Sequence, residues 1–84
     1  MARKPTSLLS RIRRTPGVMG GAACIRNTRI SVWILVSLRR QGAPDPELLR
    51  NYPGLEQQDL EAAWRYYGDN KSEIDREIEE QEAA

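Results

Sequence analysis

The sequence predicts a mainly α domain with a short β segment on its N-terminal side. Two patterns carry that reading. Before residue 22 the chain is punctuated by Pro-Gly and Gly-Gly, and from residue 32 onward apolar side chains recur at helical spacing between recognisable caps. Size sets the third bound. Eighty-four residues make one small domain, and so little surface is buried at this length that a partner or second copy is expected.

Residues 1–9 read as a loose basic lead carrying Arg3 and Lys4. Short apolar pieces then alternate with Pro16-Gly17 and Gly20-Gly21, turn dipeptides because proline presets φ and glycine tolerates positive φ. Ala23 to Ile25 and Thr28 to Val32 are expected to be extended, with Arg26-Asn27 turning between them and Asn27 accepting the left-handed conformation. Two or three short strands are unstable alone, so a second copy is expected to complete them. Ser31 is placed to cap a helix from Val32 to about Gln41, ended by Gly42. That helix is apolar nearly all round until Arg39, which makes it the central core helix.

Asp45-Pro46-Glu47 supplies an N-cap, a proline at the first helical position and an acid facing the helix dipole. This short helix runs to about Tyr52 and stops at Pro53-Gly54. Leu60, Ala63, Trp64 and Tyr67 fall at i, i+3, i+4 and i+7, which predicts a third helix from Glu56 to Tyr67 with Gly68 beyond its end. Trp33, Trp64, Tyr52 and Tyr67 are expected in the core, and Tyr66 off that face. Ser72 opens a last segment, Glu73 to Glu82, with Ile74 and Ile78 as its large apolar groups. Two isoleucines bury too little to order it, so nascent helix or disorder is expected. The organisation is therefore a lead at 1–9, a core at 10–68 that begins with a β-hairpin, and an acidic tail at 69–84.

Composition removes several chemistries. With no histidine and the single Cys24, the chain holds no disulfide framework, no thiolate zinc cluster and no His-dependent triad. Cys24, between alanine and isoleucine, reads as a buried inert thiol. The acids from Glu73 to Glu82 lack a scaffold that would preorganise a metal site. No cofactor and no metal are expected. The longest apolar run, Val32 to Val36, is far short of a membrane span, and no apolar stretch of signal-peptide length follows the basic lead. A cytoplasmic location is the expectation.

The net charge of +1 conceals a division. Residues 1–42 carry nine Lys or Arg and no acid, so that half is +9; residues 43–84 carry all twelve acids against Arg50, Arg65, Lys71 and Arg76, so it is −8. Such asymmetry suggests a polyanion-binding end and a separate end for another partner. The alternative is self-neutralisation, in which the two halves pack together or pair across a dimer. Arg11, Arg13, Arg14, Arg26, Arg29, Arg39 and Arg40 are the nucleic-acid candidates, because arginine makes bidentate contacts to phosphate and guanine. Arg11 and Arg13 alternate as side chains on one strand face do. For Arg26 and Arg29, fixing the hairpin by bonding backbone carbonyls or a carboxylate across the dimer stays an equal alternative.

The run from Pro16 to Val32, containing Gly20-Gly21-Ala22-Ala23-Cys24-Ile25-Arg26-Asn27-Thr28-Arg29-Ile30-Ser31-Val32, resembles the signature of the domain of unknown function 433 family. Asn51-Tyr52-Pro53-Gly54-Leu55 and the acidic helix after it match at the family's spacing. Ala22 and Ala23 stand where members have Lys-Pro, Asn27 where they have glycine, and Ser31 where they have proline. The resemblance implies a homeodomain-like helix-turn-helix core and the role of antitoxin in a type II toxin–antitoxin module, with a PIN-like ribonuclease as its toxin.

On the residues themselves, Glu47 to Tyr67 has helix-turn-helix proportions. Its second helix offers Gln57, Gln58 and Arg65 to DNA, but Glu56, Asp59 and Glu61 repel phosphate. The expected function is a non-enzymatic antitoxin and autorepressor: a homodimer that binds operator DNA through its basic half and masks the toxin with its acidic segment. Ile74, Ile78, Glu73, Glu77 and Glu80 are the candidate toxin-binding residues. The rival is a protein–protein adaptor with no DNA role.

Overall fold

A computed structural model describes residues 8–83; most of the basic lead, residues 1–7, lies outside the described residues. The chain is mainly helical, with four helices and a small antiparallel sheet at its N-terminal side. A 3-10 turn, Leu8–Arg11, leads into β1 (Ile12–Arg14); a second, Met19–Gly21, precedes β2 (Ala23–Ile25). The strands pair in the register Ile12 to Ile25, Arg13 to Cys24 and Arg14 to Ala23. Helices α1 (Val32–Arg40), α2 (Asp45–Asn51), α3 (Gln57–Asp69) and α4 (Lys71–Ala83) follow.

The turn after β2 is closed differently from the sequence expectation. Arg26, not Asn27, takes the left-handed conformation (φ 45°), and its N–H donates to the Arg11 carbonyl at 2.7 Å. Thr28 holds the rest. Its hydroxyl donates to the Ile25 carbonyl at 2.6 Å and accepts from the Ile30 N–H at 3.0 Å. The expected second strand over Thr28 to Val32 reduces to a single bridge between Ser31 and Cys24. The two strands are not left to a second copy for cover, because α1 packs on β2 and α3 on β1.

Ser31 stands at the N-cap of α1, but its fully buried hydroxyl makes no capping bond. At the other end Gly42 adopts φ 104°, a conformation that favours glycine, and its N–H bonds the Arg39 carbonyl. Val32, Leu35 and Val36 of α1 are buried among Ile25, Leu48, Leu55, Leu60 and Ala63, which makes α1 the core helix that its composition predicts. Pro44 rather than Asp45 occupies the N-cap of α2, and Asp45 and Glu47 sit in its first turn. Helix α3 runs through Gly68 to Asp69, two residues further than its apolar spacing predicts.

The largest departure is α4. Residues 71–83 form an ordered helix, with Ile74 at 0% and Ile78 at 2% exposure inside the same apolar cluster as α1. The acidic segment is therefore a layer of the domain and not a detached tail. A free segment with two isoleucines cannot offset its ordering cost. Here α1 and α3 supply the other half of that contact, and a single residue, Asn70, links α3 to α4 and accepts the Ile74 N–H at 3.1 Å. Among the described residues no helix is long and apolar enough to cross a membrane.

Candidate functional site

Among the described residues, Asp59 is the fully buried charge. It lies in the first turn of α3 with its side chain fully buried. Its carboxylate receives the Glu56 N–H at 2.8 Å and the Arg11 Nη1 at 2.9 Å. Arg26 grips both oxygens, Nε at 3.0 Å and Nη2 at 2.8 Å, while also reaching the Gly54 carbonyl at 2.9 Å. Burial alone would push the Asp59 carboxyl up; Arg26, the Glu56 N–H and Arg11 outweigh it and hold the pKa at about 2, against an ordinary 3.8. Arg11 also bonds Glu56 at 3.1 Å and the Gln58 carbonyl oxygen at 2.6 Å. Two predicted DNA-binding arginines thus tie the β segment to α3. Arg26 does bond a backbone carbonyl, that of Gly54, but its carboxylate lies in the same chain rather than across a dimer. Arg11 goes with it, because it precedes β1 and turns towards α3 instead of sharing a strand face with Arg13.

Two further arginines meet α4. Arg14 donates to the Tyr66 hydroxyl at 2.7 Å and pairs with Glu73, to which Tyr66 also donates at 3.0 Å. Arg40 donates to the Tyr67 hydroxyl at 2.8 Å and pairs with Asp75, to which Tyr67 donates at 2.8 Å. The two Arg–Tyr–carboxylate sets stand on either side of Ile74, because Glu73 and Asp75 flank it in sequence and each residue turns about 100° around a helix. Tyr66, expected off the core face, is half-buried by this arrangement.

The remaining candidates are freer. Arg13 reaches the Asn27 side chain at 2.8 Å, and Arg39 stacks over Trp64 with its guanidinium carbon 4.4 Å from the ring centre. Arg13, Arg29 and Arg39 are exposed and form no ion pair among the described residues. The seven arginines therefore divide: Arg11 and Arg26 locked on a buried carboxylate, Arg14 and Arg40 paired at the surface, and Arg13, Arg29 and Arg39 open.

The predicted toxin-binding residues divide as well. Ile74 and Ile78 are core residues, so they present no apolar ridge to a partner while α4 is docked. Glu73 and Glu77 are half-buried, and Glu80 is exposed. Burial raises the Glu77 carboxyl above its ordinary range, and one of its oxygens is buried without a hydrogen-bond partner among the described residues. Cys24 is buried at 3% exposure, and burial, followed by the charge of Glu77, raises its thiol pKa. A shallow groove of about 430 Å³ lies beside Arg14, lined by Ile12, Tyr66, Asp69 and Asn70. No group of acids and cysteine that could hold a metal occurs among the described residues.

Asp59 is the residue that reading the sequence missed as an organiser. Its signal was Glu56-x-x-Asp59 at the start of a helix, a reciprocal capping pattern. What the pattern does not carry is the pair of arginines from 33 and 48 residues away.

The fold and this ion-pair lattice define a small helical domain held together across its two oppositely charged halves. Residues 12–67 match the family described as "Protein of unknown function (DUF433)", and the chain belongs to that family. It is similar to the crystal structure of a DUF433 member protein from Anabaena variabilis ATCC 29413, with 66% identity and a TM-score of 0.80, over 81% of this chain and 67% of that one. No curated protein matches the chain.

Proposed function

We propose that this chain is the antitoxin of a type II toxin–antitoxin module, a non-enzymatic protein that neutralises a PIN-like ribonuclease and binds its operator as an autorepressor. The observation that carries the DNA half is the charge state of the first turn of α3. Glu56 and Asp59 would repel phosphate there, but Arg11 and Arg26 neutralise both. With those acids paired, α2, the connection 52–56 and α3 serve as a homeodomain-like helix-turn-helix. Gln57, Gln58 and Arg65 are exposed on its second helix, and Arg13, Arg29 and Arg39 are open elsewhere. A homodimer would present two such units to a two-fold operator.

For the toxin, the docked α4 offers an exposed acidic face in Glu79, Glu80 and Glu82, an imitation of phosphates for a basic RNA path. Truncation would remove core residues, so charge reversal is the cleaner experiment. Co-expressed with the ribonuclease from its operon, the triple variant E79K/E80K/E82K loses neutralisation while keeping its helicity. Full neutralisation by that variant refutes the assignment. The DNA half predicts duplex binding that weakens steeply between about 50 and 200 mM salt, and that R65A and R13A/R39A each reduce it.

A second reading, a protein–protein adaptor without DNA contact, draws on the internal use of Arg11, Arg14, Arg26 and Arg40. Absence of salt-dependent duplex binding decides for it.

A further inference from the structure

The arginines paired within the domain differ in how firmly they are committed. Arg11 and Arg26 hold a carboxylate with 0% side-chain exposure, and releasing them would strand a buried charge. Arg14 and Arg40 are held by Glu73 and Asp75, all four partly in water: 48% and 47% exposure for the arginines, 28% and 36% for the acids. Pairs of that kind are weak and exchange with solvent ions.

Each exchangeable arginine also has a second support, a tyrosine that its acid shares. Tyr66 accepts from Arg14 and lies with its ring centre 6.0 Å from the guanidinium carbon; Tyr67 does the same for Arg40 at 5.8 Å. In both sets the same nitrogen, Nη2, meets the tyrosine and the acid, so an oxyanion already occupies a charged donor that a phosphate oxygen could take in its place. The oxyanions present are supplied by α4 itself, whose first turns bring the two acids to the two arginines while Ile74 between them anchors the helix.

We propose that Arg14 and Arg40 are phosphate-backbone contacts held in reserve, and that Glu73 and Asp75 of α4 occupy them in competition with DNA. This rests on the DNA-binding reading above and adds its regulation. The helix need not leave the core; only two side chains exchange partners. Duplex affinity is then set by how strongly the α4 acids hold the arginines. Anything that draws Glu73 and Asp75 away from them tightens DNA binding.

The test is a cycle of four proteins titrated with duplex DNA at several salt concentrations: the wild type, E73Q/D75N, R14A/R40A and the quadruple variant. E73Q/D75N keeps Ile74 and Ile78, and far-ultraviolet dichroism checks that α4 remains formed. Two released arginines steepen the salt dependence by nearly two contacts, which multiplies the ratio of affinities at 50 and 200 mM salt by about tenfold over that of the wild type. R14A/R40A is silent in the wild-type background and erases that gain in the E73Q/D75N background. A control, E79Q/E80Q, removes the same charge from the exposed face of α4 and leaves the slope unchanged.

Equal loss from R14A/R40A in both backgrounds overturns the proposal, because the arginines were then never masked. So does a gain in E79Q/E80Q as large as in E73Q/D75N, which reduces the effect to net charge. Wild-type binding with no gain in E73Q/D75N refutes the regulation and leaves the DNA reading standing. Binding by E73Q/D75N alone supports the mask and removes DNA binding from the resting protein; binding by none of the four removes both.

Discussion

Replacing Asp59 by Asn perturbs the join between the two charged halves at its most buried point. Asparagine keeps the shape and one acceptor oxygen, but it removes the charge facing Arg11 and Arg26 and turns a donor towards them. The carboxyl is held at about 2 against an ordinary 3.8, and that difference corresponds to about 2–3 kcal/mol. Removing one member of a buried pair costs roughly 3–5 kcal/mol when the survivor cannot reach water. Arg11 and Arg26 keep 23% and 40% side-chain exposure and can rehydrate, so the smaller figure governs. A small domain holds roughly 0.05–0.15 kcal/mol per residue in total, which makes the loss a large share. In urea unfolding at pH 7, with a slope of about 1 kcal/mol per molar, the midpoint of D59N falls by about 2–3 M.

The pH dependence adds a second readout. Because folding lowers this pKa, its stabilisation is complete above about 5 and is lost as pH falls towards 2. The wild type therefore loses that increment between about pH 5 and pH 2, and D59N is flatter across the same window. A D59N protein within about 0.5 kcal/mol of wild type at neutral pH refutes the reasoning. An identical acid loss in both proteins does the same.

Ile78→Ala empties part of the core beneath α4 and should cost about 2–4 kcal/mol by thermal or urea unfolding, whereas a solvated tail would give almost nothing. Glu77→Gln should raise the urea midpoint at pH 7. Burial raises that carboxyl, so its ionised form weighs against the fold at neutral pH and the deficit disappears as pH falls through the folded value; the variant removes the pH dependence along with the deficit. The Cys24 thiol should react with a disulfide reagent only as fast as the domain opens, because burial both shields it and disfavours its thiolate.

What was legible along the chain was local. Gly42 ends α1 where a left-handed residue is needed, and Pro46 lies in the first turn of α2, where a missing N–H does no harm. The i, i+3, i+4, i+7 spacing of Leu60, Ala63, Trp64 and Tyr67 locates α3 and its inward face. Less legible were features set by a choice among equals. Asn27 is the better left-handed residue in isolation, yet Arg26 takes that conformation, where its N–H meets the Arg11 carbonyl and its side chain reaches Asp59.

Charge was legible as a sum and illegible as a map. The sequence by itself determines that one half of the chain carries +9 and the other −8, that no histidine chemistry exists, and that three helices follow a β segment, because composition and short-range periodicity involve no distant partner. Only the tertiary structure decided which arginine meets which acid, and with it which of the seven remain open to a ligand. It also decided that Ile74 and Ile78 are core residues. Two isoleucines on an isolated segment lose more in chain entropy than they gain in burial; docked on α1 and α3, with Arg14 and Arg40 holding the flanking acids, the same side chains complete the core.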